Sequence, residues 1–233
     1  TLILGSDGLK LVFGSFEFPV PFTPRYNIAP GQDVLVLPND GERLARSFRW
    51  GLVPLWAKDP KIGNRLFNAR AETLEQKPAF QMAYEKRRCL ILGDGFYEWR
   101  KESGKNPKTP IYIRLKSGKP FAFAGLWESY RTGDGNILHS CVIITTEPND
   151  LLKEIHNRMP AILEADSYEQ WLDPDYYRPE GLRGLLKPYP SQKLRTHPVS
   201  RQVNDFKHDT PENIEPLKSV EAPAQGFQES LPI

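Results

Sequence analysis

The chain has 233 residues, of which 39% are hydrophobic and 26% are charged, and its formal net charge is +2. These proportions are those of an ordinary globular protein, and no apolar run approaches the roughly 18 residues that a membrane span needs. Since the N-terminus also lacks the features of a secretory signal, we expect a soluble, cytoplasmic protein.

Positive charge is concentrated in the middle of the chain. Residues 42–119 carry 18 Lys/Arg against 8 Asp/Glu, whereas residues 1–41 carry 2 against 4 and residues 120–233 carry 11 against 17. Tryptophans lie among these cations, and such a mixture is typical of a groove that binds single-stranded nucleic acid. A solvated basic surface would give the same count, so both interpretations stay open.

Short apolar runs separated by turn residues predict antiparallel strands joined by hairpins. A short amphipathic segment and a loop occupy residues 9–23, before the first strand. We expect Cys89 and Cys141, each inside such an apolar run, to be buried and reduced. The loop 103–107 is expected to close one hairpin. The predicted strands are 34–37, 44–50, 89–92, the strand that holds Glu98, 111–115, 121–127 and 141–146.

Helical patterns are short and lie mostly in the second half of the chain. We expect one domain over residues 1–204, followed by an irregular tail at 205–233, where periodicity is lost. The second of these helices would deliver His156 to its C-terminus. The predicted helices are 78–85, 147–156, 166–172 and 179–186.

The stretch Gly93–Trp99 contains the strongest candidate for acid/base chemistry. Glu98 lies between Tyr97 and Trp99 just after a buried strand. Partial desolvation disfavours the charged carboxylate and raises its pKa toward the range that is useful for proton transfer at neutral pH. A solvent-facing strand residue would show the same alternation, and this stretch alone does not decide between the two.

Two further stretches are rich in polar or aromatic side chains. Asn68, Arg70 and Glu72 alternate, so a strand would place them on one face, as a functional row or as an exposed edge. In the loop that follows Trp50, Trp56 could stack on a base or fill the protein core. His156 stands where the predicted helix must end, because Pro160 disfavours helical geometry for Met159. It could be a functional residue or simply cap the last carbonyls of that helix.

Five stretches in this order resemble the motif set of the SOS-response-associated peptidase family, also called SRAP. The resemblance implies an α+β fold of mainly antiparallel, partly barrel-like β-sheets with short flanking helices. It further implies recognition of abasic sites in single-stranded DNA, covalent cross-linking to them, and self-removal of the initiator methionine. The stretches are 25–32, 50–56, 68–73, 93–99 and 155–160, within a resemblance that covers about residues 1–204.

In this family the nucleophile is the cysteine of an N-terminal Met-Cys-Gly-Arg-Phe. An α-amine has a pKa of about 8 and is therefore a competent nucleophile at physiological pH, unlike an unperturbed lysine. The chain begins instead with Thr1-Leu2, which resembles what commonly follows that motif. We therefore expect the nucleophile to be absent from this sequence and the α-amine of Thr1 to lie well away from the catalytic residues.

The resemblance assigns the remaining roles. Asn68 would hold the α-amine, Glu98 would transfer protons, and His156 would protonate the ring oxygen of the sugar. Asn157 stands where the family often has Asp, which weakens the case for a second partner of His156. The residues expected to bind DNA are Arg70, Pro30, Trp56 and Arg158, and no cofactor or metal is implied.

The expected partner is single-stranded DNA that contains abasic sites, bound by a monomer that would be nucleoid-associated in a bacterium. Two alternatives stay open. One is a non-catalytic binder of single-stranded DNA. The other is an enzyme that acts on a small carbonyl compound, favoured if the basic residues of 42–119 scatter instead of lining a groove.

Overall fold

The structure is a computed structural model that describes residues 1–19, 23–102 and 107–217. Residues 103–106 of the predicted loop 103–107 and residues 218–233 of the predicted tail 205–233 lie outside the described residues. The strands are β1 (Asp33–Pro38), β2 (Arg46–Trp50), β3 (Asn68–Arg70), β4 (Arg88–Gly93), β5 (Phe96–Arg100), β6 (Thr109–Leu115), β7 (Phe121–Arg131), β8 (Ile137–Thr146), β9 (Met159–Pro160), β10 (Ile162–Leu163) and β11 (Leu194–Pro198). The helices are α1 (Ser6–Phe13), α2 (Gln81–Lys86), α3 (Asp150–Lys153), α4 (Tyr168–Leu172) and α5 (Pro179–Leu185).

The strands β1, β2, β8, β7 and β4 are hydrogen-bonded in a ring that forms a partly closed barrel. All neighbours in the ring are antiparallel except β2 and β8, which run parallel. The short β3 continues along the same edge of β8 as β2, also in parallel, pairing Asn68 with Ile143 and Arg70 with Thr145. This pairing brings the motif that begins at Asn68 to the end of the barrel.

A second, antiparallel sheet of three strands has the order β11, β6, β5. In it Glu98 of β5 lies opposite Ile111 of β6. The predicted α+β fold with mainly antiparallel, partly barrel-like sheets and short helices is thereby confirmed. Among the described residues, no helix is long and apolar enough to cross a bilayer.

The two faces of β4 contribute to two different hydrophobic clusters, because successive side chains of a strand point in opposite directions. Leu90 and Leu92 belong to a cluster that includes residues of α2 and α4, whereas Cys89 and Ile91 belong to one that includes β6. Both cysteines are buried and free, as predicted. Burial on both faces explains why the β4 sequence is a continuous apolar run after Arg88.

Arg88 is fully buried and forms no ion pair with any residue that the structure describes. Burial lowers the pKa of its guanidinium, whose charge is held by main-chain carbonyl dipoles. A contact between Arg88 and a phosphate of a bound nucleic acid is therefore excluded. Its acceptors are the carbonyl oxygens of Tyr84, Glu85, Trp171, Asp173 and Tyr176.

Two predicted elements differ from the structure. The helix expected at 147–156 is only α3. It begins after Asn149, whose side chain caps it by accepting a hydrogen bond from the Leu152 amide at 2.9 Å, and it ends at Lys153. His156 therefore lies beyond the end of the helix. The segment 205–217, expected to be irregular, contains a 3-10 turn at Pro211–Ile214 and is hydrogen-bonded to the rest of the domain. The domain boundary at residue 204 stays a prediction.

Candidate functional site

A cavity of about 570 Å³ lies where the barrel, the three-stranded sheet and the C-terminal residues meet. It brings together the three predicted catalytic residues, Asn68, Glu98 and His156, which are far apart in the sequence. Much of its lining is apolar. Buried apolar side chains in the lining include Val34, Ile91, Phe96, Phe123 and Ile143, and the other polar residues include Thr1, Thr145 and Arg158.

Glu98 has a side chain that is only 20% exposed. Desolvation raises the pKa of its carboxyl group, and the nearby charges of His156 and Lys108 oppose the shift. The predicted direction is confirmed, and its cause is the burial that the flanking aromatic residues indicated. A carboxyl group with a raised pKa can both hold and release a proton near neutral pH.

His156 faces Glu98, with 3.7 Å between its Nδ1 atom and Oε2 of the carboxylate. The same Nδ1 lies 3.1 Å from the carbonyl oxygen of Arg158 and 3.3 Å from its amide nitrogen. A protonated Nδ1 can donate to the carbonyl, and an unprotonated Nδ1 can accept from the amide. Both protonation states of the imidazole therefore have a partner, which suits a group that gains and loses a proton.

Asn68 begins β3 and is exposed, whereas Ala69 beside it is buried. In the described part of the chain, the Asn68 amide group makes no hydrogen bond, although it lines the cavity. The strand ends at Arg70, because Ala71–Thr73 forms a 3-10 turn. Asn68, Arg70 and Glu72 therefore do not form the row on one strand face that was predicted.

The turn between β4 and β5 holds the first residues of the chain. Asp94 accepts hydrogen bonds from Thr1 Oγ1 at 2.7 Å and from the Ile3 amide at 2.6 Å. The main-chain nitrogen of Thr1 donates to the Gly95 carbonyl at 2.8 Å. Thr1 thus lines the same cavity as Asn68, Glu98 and His156, although it was expected to lie well away from them. Sequence reasoning gave Asp94 no role, although it stands between two glycines in the stretch Gly93–Trp99.

Pro30 lies at the rim of the cavity in a turn from Ala29 to Gln32. Gly31 has φ = 91°, a conformation that favours glycine, and it follows a proline as in a type II turn. The Gln32 side chain accepts hydrogen bonds from the Ala29 amide and from Arg25, both at 3.0 Å. The exposed Pro30 ring is therefore presented by a rigid turn, as the Pro-Gly pair indicated.

Residues 199–217, which we call the strap, contribute Val203, Asn204 and Phe206 to the cavity lining and were not predicted to do so. The buried side chain of Asn27 donates to the carbonyl oxygens of Val203, Asp205 and His208 at 2.9 to 3.1 Å. Asp209 in turn accepts from Arg25 and from the main chain of residues 26 and 27. Sequence reasoning missed this docking, because Asn27 and Val203 are 176 positions apart.

Comparison with known proteins gives the family. The model of the SOS response associated peptidase (SRAP) family matches residues 8–206. The chain belongs to the SRAP family. It is 47% identical over 196 residues to a protein named abasic site processing protein YoqW from Bacillus subtilis (strain 168), covering 83% of this chain and 87% of that one.

More distant relatives agree with this assignment. A protein named abasic site processing protein HMCES from Pongo abelii is 32% identical over 241 residues, covering 87% of this chain and 68% of that one. A crystal structure of a Bacteroides thetaiotaomicron protein superposes with a TM-score of 0.70 at 31% identity and covers 79% of each chain. The SRAP fold of this chain is thereby shown as well.

Not every predicted DNA-binding residue of this SRAP protein lines the cavity. Pro30 and Arg158 do, whereas Trp56 and Arg70 lie outside it. Trp56 is 58% exposed, so the alternative that it fills the protein core is wrong. Arg70 is exposed and, among the described residues, forms no ion pair. Both are available to solvent beside the site.

Arg158 forms an ion pair with the carboxylate of Glu72 in this structure. Its guanidinium donates to both carboxylate oxygens of Glu72, at 2.8 and 3.0 Å, and to the Thr145 carbonyl at 2.6 Å. The ion pair lowers the pKa of Glu72. A phosphate that reached Arg158 would therefore compete with Glu72.

The basic residues of the middle of the chain are dispersed. Arg43 pairs with Glu169 on the surface, whereas Arg87 pairs with the buried Glu128 and Arg88 is internal. Among the described residues, no Lys or Arg of 42–119 lines the cavity. In the described residues no cluster of three or more His, Cys, Asp or Glu side chains is arranged to hold a metal ion.

Proposed function

We propose that this protein recognises abasic sites in single-stranded DNA and cross-links to them through a cysteine that precedes Thr1, as in the family motif. One observation carries the proposal: Asn68, Glu98 and His156 converge on a cavity that Thr1 also lines. A segment attached to Thr1 would start at the cavity wall. The names of the curated relatives support abasic sites as the substrate and do not favour the two alternatives.

The first step is opening of the abasic sugar. An abasic deoxyribose reacts as its open-chain aldehyde, and opening the ring requires a proton on the ring oxygen. His156 is suited to supply it because its Nδ1 has a partner in either protonation state. The apolar part of the cavity lining lowers the local dielectric constant and strengthens such polar interactions.

The next steps form the cross-link. The α-amine of the cysteine adds to the aldehyde carbon, and the resulting hydroxyl group leaves as water once it is protonated, which gives a Schiff base. The thiolate then adds to the imine carbon while the nitrogen takes up a proton, closing a thiazolidine ring. Glu98, whose pKa is raised by burial, is suited to accept the ammonium proton and return it to the leaving hydroxyl. The Asn68 amide is free to hold the amine.

The same residues account for self-removal of the initiator methionine. Hydrolysis of that peptide bond requires a general base for water and a proton for the departing amine. Glu98 is suited to serve both, because it lines the cavity that Thr1 also lines and a preceding segment would start there. Cleavage would expose the α-amine that the cross-linking step uses.

The test compares Glu98→Gln with its parent, both carrying Met-Cys-Gly-Arg-Phe ahead of Thr1. We expect the cross-linking rate on abasic single-stranded DNA to fall by about 10² to 10⁴, because a positioned proton shuttle is lost. Intact mass should show retained methionine. The control is Glu180→Gln, since Glu180 is exposed on α5. Cross-linking of Glu98→Gln at the parent rate would reject the role of Glu98.

The chain that starts at Thr1 tests the nucleophile. It should give no heat-stable band on a denaturing gel in the absence of borohydride, because the Thr1 hydroxyl closes only a readily hydrolysed oxazolidine. Cys89 and Cys141 are buried and lack an adjacent free amine. A stable band without reductant would overturn the assignment to a preceding cysteine. The intact mass of the natural gene product would show whether such a cysteine exists.

A further inference from the structure

The strap places an aromatic ring at the cavity that none of the proposed steps uses. Phe206 lines the cavity and is 52% exposed. It belongs to none of the hydrophobic clusters that the described residues form. Exposing a phenyl ring forgoes part of the free energy that its burial would release. A partly exposed ring at the mouth of a binding cavity is therefore a candidate contact for a ligand.

The position of Phe206 is fixed from both sides along the strap. On one side, Asn204 accepts a hydrogen bond from the Trp99 indole at 2.7 Å, and Val203 is buried. On the other, Asp209 binds Arg25 and the Asn27 amide. The ring therefore projects from a held main chain and loses little conformational entropy on binding.

The same hydrogen bonds connect the strap that carries Phe206 to the turn that presents Pro30. Asp209 binds Arg25, and Arg25 donates to the Gln32 side chain, which holds the turn that presents Pro30. Phe206 and Pro30 thus both belong to the rim of one cavity and to one hydrogen-bonded frame. A flat ligand that enters the cavity would meet an exposed aromatic ring as well as the proline.

The neighbours of Phe206 fit a nucleic acid strand. Lys207 and His208 follow it directly and are exposed. In the part of the chain that the structure describes, Lys207 forms no ion pair with an acidic residue, although its amide donates to the Asp205 carboxylate at 3.0 Å. An exposed ring beside a free cation is the pairing that contacts a base and its phosphate in single-strand binding sites.

We propose that Phe206 is a base-stacking residue of this protein, which holds an unpaired base adjacent to the abasic site while the lesion occupies the cavity. The inference rests on the proposed function. Stacking on a neighbouring base positions the DNA strand without contacting the reacting atoms, so Phe206 is a positioning residue. It should govern affinity for single-stranded DNA and leave the chemical step at saturation unchanged.

The experiment measures fluorescence anisotropy of a labelled single-stranded oligonucleotide that carries one tetrahydrofuran residue, a stable abasic analogue. Phe206→Ala should weaken binding roughly 5- to 150-fold, the range for losing one base–aromatic stack. Phe206→Trp should bind as well as the parent or better. The matched control is Leu217→Ala, because Leu217 is also an exposed apolar residue of the strap but does not line the cavity.

A second oligonucleotide separates base stacking from other contacts. In it the bases on both sides of the lesion are removed as well, so the sugar–phosphate backbone is unchanged but nothing remains to stack. The loss caused by Phe206→Ala should disappear on this strand. An equal loss on both strands, or a loss no larger than that of Leu217→Ala, would overturn the proposal.

Failure of this inference is distinguishable from failure of the proposed function. If the parent chain does not bind the tetrahydrofuran strand, or binds duplex equally well without salt dependence, the proposed function itself is rejected. If the parent binds and the cysteine-bearing form cross-links, but Phe206→Ala binds the tetrahydrofuran strand as tightly as the parent, only the role of Phe206 is rejected. Cross-linking at saturating DNA should be unchanged by Phe206→Ala, and a slower rate there would overturn the assignment of Phe206 as a positioning residue.

Discussion

Two parts of the cavity wall, the strands and the strap, are built in different ways. The strand wall carries Asn68 on β3 and Glu98 on β5, both fixed by pairing with neighbouring strands. The strap carries Phe206 and is held by side chains that bind main-chain atoms, above all Asn27 and Asp209. The proposed catalytic residues Asn68 and Glu98 therefore lie where main-chain pairing between β-strands holds them. The proposed DNA contact, Phe206, lies where a few side chains anchor the main chain.

This difference follows from what each wall has to do. Proton transfer requires heavy atoms within hydrogen-bonding distance, and small displacements are costly. Stacking on a base tolerates variation, because every base has a flat face. The exposed Phe206 ring on its anchored strap can therefore accept different bases around a lesion without disturbing Glu98 and His156.

The largest effect is expected from Gly95→Ala in the strand wall. A Cβ atom at this position would lie 2.2 Å from the hydroxyl oxygen of Tyr112. The Tyr112 ring is buried between Tyr97 and His197, so it cannot move aside freely. Overpacking of this kind costs about 1–3 kcal/mol, which would lower the melting temperature by roughly 3–10 °C.

Thermal unfolding followed by circular dichroism would measure the change. The control is Gly133→Ala, because a Cβ there meets no atom within 4 Å. An unchanged melting temperature for Gly95→Ala would mean that the strand wall adapts as readily as the strap, contrary to the difference described above.

A smaller and more local effect is expected from Asn27→Ala, which removes the amide that binds three strap carbonyls. Unsatisfied buried groups cost about 1–3 kcal/mol, although strap carbonyls that reach water recover part of it. Hydrogen exchange should accelerate for amides of residues 203–209 and stay unchanged in β4 and β7. Asn64→Ala is the control, because Asn64 is exposed. Equal acceleration throughout the barrel would show that the strap is not a separate unit.

Glu98 gives a pH-dependent prediction for the strand wall. Its pKa is raised in the folded state above the ordinary value of 4.5, so the folded protein holds this proton more tightly than the unfolded one. The resulting stability is fully present below pH 4.5 and is lost as the pH rises through the folded-state pKa. Each unit of pKa difference corresponds to about 1.4 kcal/mol.

Glu98→Gln removes this dependence. The variant should therefore gain stability relative to the parent as the pH is raised from about 4 to about 8, since its amide stays neutral. Chemical denaturation of both proteins across this range measures the difference. A constant difference at every pH would show that Glu98 is not desolvated in the folded protein.

The smallest effect is expected from Glu72→Gln beside the strand wall. The pair with Arg158 is partly exposed, so its loss should cost no more than about 1 kcal/mol of stability. If Arg158 contacts a phosphate, removing its carboxylate partner should raise affinity for single-stranded DNA a few-fold and steepen the salt dependence. Glu180→Gln is the control. Unchanged affinity would leave Arg158 with a structural role only.

The sequence predicted the strand wall better than the strap, for physical reasons. Glu98 stood out because its aromatic neighbours and the preceding apolar run determine its burial locally. Asn27 and Asp209 could not be paired, because their contact spans 182 positions and leaves no periodic pattern. The row of three polar residues failed at Glu72, since the structure prefers an ion pair with Arg158 to continuation of β3. Ring closure through β2 and β8, which pairs Trp50 with Cys141, is also remote in sequence.

The cavity combines residues from position 1 to position 206, so nearly the whole described chain must be synthesised before it exists. Contacts between such distant positions form late in folding, because closing long loops costs entropy before the contacts compensate for it. A nascent chain emerging from the ribosome would therefore expose its first residues long before the groups that act on them are in place. Under the proposed function, self-processing and lesion capture would then be properties of the finished protein alone, and the reactive amine would stay inactive during translation.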